Sequence, residues 1–194
     1  MSKPKQERHN FPEVQKLIVL HLAKSEPQTI NKIKKGIGKD YKSTHEALTS
    51  LKQKNLVQET TTKTYRNRKF PEFWLAEKGI FLAVYYEPKS GSLLTRAIKI
   101  YPENRKVHFL IEAAPILGQY ALDVLYLAAI TVGDEIDETE INYLFSQQMT
   151  HKLTRQQVNQ FAALLKKYPE QQRECETSLD QATENISKIR KLIS

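Results

Sequence analysis

The sequence is poor in the residues that staple small folds together or hold metals and phosphates. Cys175 is its only cysteine among 194 residues, which excludes an internal disulfide framework and a cysteine-based zinc site. A lone thiol suits a reducing compartment, and the polar start MSKPKQERHN has no apolar signal core, so a cytoplasmic protein is expected. The histidines His9, His21, His45, His108 and His151 show no metal-ligand spacing with one another or with Cys175. The acidic group GDEIDETE at 133–140 lacks the ligand order of an EF-hand loop and reads as a loop with an acidic first helical turn. No metal and no cofactor are expected. Glycine is also scarce, with six residues, none arranged as a phosphate-cradling loop. Nucleophile-elbow and kinase signatures are missing too, and no enzyme is expected.

Long apolar runs are lacking as well. The most apolar stretch, residues 107–133, is broken by Glu112, Pro115, Gly118 and Asp123, whereas a membrane span needs about 20 predominantly apolar residues. The stretch reads as two buried helices, and no membrane contact is expected. Core packing explains these helices, with enclosure of a small-molecule effector as an alternative that no residue indicates.

What the chain has is positive charge, unevenly spread. Residues 1–90 hold 18 Lys/Arg against 9 Asp/Glu, and residues 91–194 hold 12 against 13, so the halves carry +9 and −1. A basic module joined to a near-neutral one suits a protein that meets a polyanion with one end.

Along the chain, Val14, Leu17, Ile18 and Leu22 follow helical spacing over 12–24 behind Pro12. A short second helix is expected from Thr29 as N-cap, with Ile30 and Ile33 on one face and Gly36 and Gly38 as stop and turn signals. Asp40 can cap a third helix, in which Thr44, Ala47, Leu48 and Leu51 share a face. Then LVQETTTKTY reads as a strand, RNRKFPE with its Pro71 as a connection, FWLA as a short strand and EKGIFLAVYYE as a further helix. PKSGS at 88–92 has linker composition, which places a boundary between domains 1–88 and 89–194. The second domain reads as helical, with segments near 93–100, 103–117, 119–132, 137–148, 154–167 and 170–193.

Three helices with a tight turn before the third, then a hairpin with a basic tip, form an order that resembles the winged helix-turn-helix transcription regulators. Thr44, Leu48, Leu51 and the exit NLV at 55–57 fit the family's third helix, with Asn55 where glycine is commoner. In FWLAEKG, Phe73, Leu75 and Gly79 fit the strand after the wing, with Ala76 in place of threonine. The resemblance covers residues 12–86. It implies a mainly α fold with a small β-hairpin wing, an N-terminal winged domain that binds double-stranded DNA, and a third helix that enters the major groove.

Helical geometry points Lys42, Glu46, Thr49 and Gln53 away from the apolar face. Lys42 can bond guanine or a phosphate, Gln53 can pair with adenine, Thr49 suits several base edges, and Glu46 can accept from the amino group of cytosine. The family's base-facing positions fall on Tyr41, Lys42, Glu46 and Thr49, with His45 and Gln53 at the margins. Lys63, Arg66, Arg68 and Lys69 at the hairpin tip suit phosphates or a minor groove. Lys32, Lys34, Lys35 and Lys39 lie where the family approaches the DNA backbone. In the last segment Cys175, Leu179, Ala182, Ile186, Ile189 and Ile193 recur as a heptad seam, so either a homodimer or packing on the chain's own domain is expected. Burial suits Cys175 better than reactivity. A winged helix used only for assembly with other proteins is the alternative function, and RNA the alternative polyanion.

Overall fold

The computed structural model describes residues 11–65, 68–130 and 153–193; the side chains of 61–65, 68, 69, 120, 178, 179, 182, 185, 186 and 189–193 lie outside that description. The fold is mainly helical with one small three-stranded antiparallel sheet. It divides into two compact units, 1–83 and 84–194. The division falls within a helix, whereas composition placed a boundary in PKSGS. That stretch forms a turn and the N-terminus of the next helix, with Ser90 as N-cap.

The first unit runs α1 (Glu13–Ala23), β1 (Gln28–Thr29), α2 (Ile30–Ile37), α3 (Tyr41–Gln53), β2 (Val57–Tyr65), β3 (Arg68–Leu75) and most of α4 (Glu77–Tyr86). In α1 the buried face is Gln15, Ile18, Val19 and Leu22, while Val14 and Leu17 stay half-exposed. This rotates the face from the one expected, because Gln15 is buried by polar partners that hydropathy does not register. Helix α2 buries Ile33 and ends at Gly38, whose left-handed φ of 67° closes the turn before α3. Gly36 is not a stop. A Cβ there would lie 2.2 Å from the His21 ring, so the missing side chain is what lets α1 and α2 close on each other.

Two expectations about the strands are corrected. Thr29 precedes α2 but makes no side-chain cap; its backbone belongs to β1, which pairs with β3 at Gln28↔Phe73 and Thr29↔Glu72. The stretch containing Pro71 is not a connection, since β3 already begins at Arg68. Pro71 is tolerated because it lies opposite Thr61, where the β2–β3 register shifts, and because β1 reaches β3 only at Glu72 and Phe73. Its missing N–H therefore costs no ladder bond on that side. Phe73, Leu75 and Val57 face the core with Leu56, Leu51 and Leu48.

The second unit contains α5 (Gly91–Ile100), α6 (Arg105–Leu117), α7 (Gln119–Ile130), α8 (Arg155–Lys167) and α9 (Pro169–Ile193). The expected helix near 137–148 lies outside the described residues. Helix α6 starts on an Asn104 cap that accepts from Val107 N at 3.0 Å. It is the central element, packed by α5, α7 and α8 and buried at Val107, Phe109, Leu110, Ile111 and Ala114. Helix α8 opens with a capping box between Thr154 and Gln157, and Gln157 Nε2 also donates to the Ile116 carbonyl at 2.9 Å. Among the described residues no helix is long and apolar enough to cross a membrane, and no group of three or more His, Cys, Asp or Glu is placed to hold a metal ion.

Candidate nucleic-acid interface

Helix α3 is capped at both ends. Asp40 caps it: one carboxylate oxygen accepts from Ser43 N at 2.9 Å and the other from Ser43 Oγ at 2.6 Å. These bonds, side chain first, hold the Asp40 carboxyl below its usual range. The Thr44 hydroxyl donates to the Asp40 carbonyl at 2.7 Å, which satisfies a polar group that is otherwise fully buried.

The other end of α3 closes as a Schellman motif. Leu56 N donates to Leu51 O at 2.9 Å and Asn55 N to Lys52 O at 2.9 Å, with Asn55 left-handed at φ 55°. This explains the asparagine at a position where glycine is commoner, since Asn tolerates the left-handed region better than most side chains. Leu51 and Leu56, the apolar pair of the motif, are both completely buried.

Between these ends the helix has two faces. Thr44, Ala47, Leu48 and Leu51 are buried, whereas Tyr41, Lys42, His45, Glu46, Thr49 and Gln53 are all exposed. Tyr41 and His45 stack, with centroids 6.0 Å apart and planes at 18°. The Thr49 hydroxyl donates to the His45 carbonyl at 2.9 Å, so what it presents outward is an acceptor lone pair. Lys52, also exposed, forms an ion pair with Glu59 of β2.

Sequence reasoning missed the residues that hold this helix in place. Gln15 is 7% exposed; its Nε2 donates to Ser50 Oγ at 3.0 Å and its Oε1 accepts from Lys54 Nζ at 3.3 Å. The Lys54 ammonium also stands 5.0 Å from the centre of the Phe11 ring. His21 Nε2 lies 2.9 Å from Gln28 Oε1 and its ring covers Gly36, which links α1, β1 and α2. The one sequence signal for Gln15 was a polar residue among helically spaced apolar ones.

Around α3, Lys32, Lys35 and Lys39 are exposed and Lys34 is half-exposed. Ile30 to Lys39 holds these four lysines and no acid, so α2 and the turn after it are basic, with Asp40 following at the start of α3. In the hairpin, Lys63, Arg68 and Lys69 occupy the last three register pairs, Lys63↔Phe70, Thr64↔Lys69 and Tyr65↔Arg68. Their side chains, and Arg66 altogether, lie outside the described residues.

In the second unit, Glu112 Oε1 accepts from Tyr168 OH at 2.6 Å and from Lys167 Nζ at 2.5 Å, fastening α8 to α6. Burial and the Glu112 carboxylate push the Tyr168 phenol above its usual value. Cys175 on α9 is half-buried, and burial, then Glu174 and Glu176, push its thiol up to about 11, which leaves little thiolate at neutral pH. The other seam positions, Leu179, Ala182, Ile186, Ile189 and Ile193, belong to a continuous helix, but their side chains lie outside the described residues.

Comparison with known protein families, with curated proteins and with solved structures finds no match to this chain.

Proposed function

We propose that this protein is a sequence-specific DNA-binding transcription regulator of the winged helix-turn-helix kind. In this reading the first unit is the winged domain, α3 lies in the major groove, and the β2–β3 hairpin is the wing on the backbone or in the minor groove. The order α1, β1, α2, α3, β2, β3 supports it. The observation that carries it is the division of α3: one face is buried to the last residue, while six side chains able to meet base edges stand exposed on the other. The lysines of α2 and the basic hairpin end supply phosphate contacts, which position the protein without specifying sequence. The second unit is the partner-binding half, with α9 pairing two copies along its heptad seam so that two reading helices meet a two-fold symmetric site.

Titrating salt against binding to random duplex DNA tests the reading. Log affinity falls against log salt with a slope of about −0.9 per phosphate neutralised, so contacts from α2 and the hairpin together give a steep line. A weak, flat response contradicts it. The acids Asp40, at the cap of α3, and Glu46, on its exposed face, favour a second reading, a winged helix that serves protein assembly and never touches DNA. The flat response is the result that this second reading expects.

A further inference from the structure

The first turns of α3 carry an arrangement that phosphate binding does not use. A helix N-terminus ordinarily attracts anions, but here the Asp40 carboxylate already occupies it, bonded to Ser43 N and Ser43 Oγ. Glu46 adds a second exposed carboxylate further along the same helix. Phosphates are served by the lysines of α2 nearby in the chain and by the exposed Lys39 and Lys42 on either side of Asp40 in sequence. With the Asp40 carboxylate bonded there, the start of α3 presents its exposed side chains rather than an open anion site, an arrangement suited to base edges.

Between Asp40 and Glu46 in the chain stand Tyr41 and His45, both exposed and stacked on each other. Tyr41 leaves 50% of its surface open, which makes it one of the most exposed large apolar side chains among the described residues. The His45 ring stacks beside the tyrosine ring and leaves half of its surface open. The exposed face of an aromatic ring is a good partner for an apolar group. In the major groove the one apolar group on a base edge is the 5-methyl of thymine.

We propose that Tyr41, backed by His45, selects thymine, its ring covering the 5-methyl group of a T·A pair in the major groove. This rests on the DNA-reading role of α3 proposed above and adds the base that its first turn selects.

The test uses duplexes recovered from a random pool by the full-length protein, resynthesised with thymine replaced by uracil one position at a time. That replacement removes only the methyl group. Affinity is expected to fall about fourfold at one thymine per half-site, the size expected for uncovering one methyl. In Tyr41→Ser the same thymine and uracil duplexes should bind equally, while Tyr41→Phe should keep the difference, since the ring and not the hydroxyl is responsible. Tight binding with no uracil-sensitive position, or a sensitivity that survives in Tyr41→Ser or is lost in Tyr41→Phe, overturns the assignment and leaves DNA binding standing. Failure to recover any duplex overturns the DNA reading itself, and this assignment with it.

Discussion

Gln15 Nε2 donates to Ser50 Oγ at 3.0 Å, joining α1 to α3 across 35 positions of sequence. Lys54 at the end of α3 bonds the same side chain through Oε1, so Gln15 ties α1 to α3 at two points. Gln15→Ala removes both bonds and leaves a gap in a buried site, so it should cost about 1–2 kcal/mol in urea unfolding. A double-mutant cycle with Ser50→Ala should show coupling of about 1 kcal/mol. Strictly additive losses would mean that the two side chains do not interact.

Gly79 sits against a backbone carbonyl. A Cβ there would lie 2.0 Å from Leu56 O, an oxygen that also accepts from Ala76 N at 3.1 Å. Neither group can give way as a side-chain tip could, so Gly79→Ala should cost about 3 kcal/mol or more. Gly38 is the contrast: open space surrounds it, but its φ is 67°, so Gly38→Ala should cost only about 1 kcal/mol. Equal losses for the two variants in thermal or urea melts would show that the contact at Leu56 is not the cause.

Asp40 makes stability depend on pH in one direction. Its folded-state pKa lies below the ordinary 3.8 through bonds from Ser43. Its stabilisation is therefore complete above that value and is lost as pH falls through it and on through the lowered folded value. Asp40→Asn keeps a good capping residue at neutral pH but cannot titrate, so its stability should fall less than that of the wild type on acidification. Identical acid-unfolding profiles for the two proteins would remove Asp40 from the account.

The contrast between these residues shows what the sequence makes legible. The buried face of α3 could be read in full, because Thr44, Ala47, Leu48 and Leu51 lie on one side at helical spacing and the neighbouring polar residues do not interrupt it. The outward row followed from the same periodicity. Gln15 could not be read, because its burial depends on Ser50 and Lys54, residues of another helix. Gly36 read as a helix stop because its actual neighbour, the His21 ring, comes from α1. Strand β1 is two residues long, too short to carry an alternation, and Pro71 concealed the start of β3 because its tolerance depends on where β1 ends. The periodic signal of α3 survived, that of α1 held for Ile18 and Leu22 but not for Val14 and Leu17, and pairwise signals between elements were not legible.

The seam on α9 makes its own prediction about assembly. Ile186 lies in its middle, on a helix of 25 residues, so Ile186→Asp should place a charge in the dimer interface and halve the sedimentation mass of a folded protein. A folded variant with the wild-type mass would move the interface elsewhere.

The measurement that bears most directly on the central claim, that the exposed face of α3 reads bases, is parallel selection from a random duplex pool. The wild type, Glu46→Ala with Thr49→Ala, and Arg66→Ala with Arg68→Ala would each be selected against that pool. The account predicts a defined motif for the wild type and a changed motif at similar affinity for the α3 variant. For the hairpin variant it predicts the wild-type motif, bound more weakly on every sequence. No enriched motif from the wild type, or the same motif and the same losses from both variants, would contradict it.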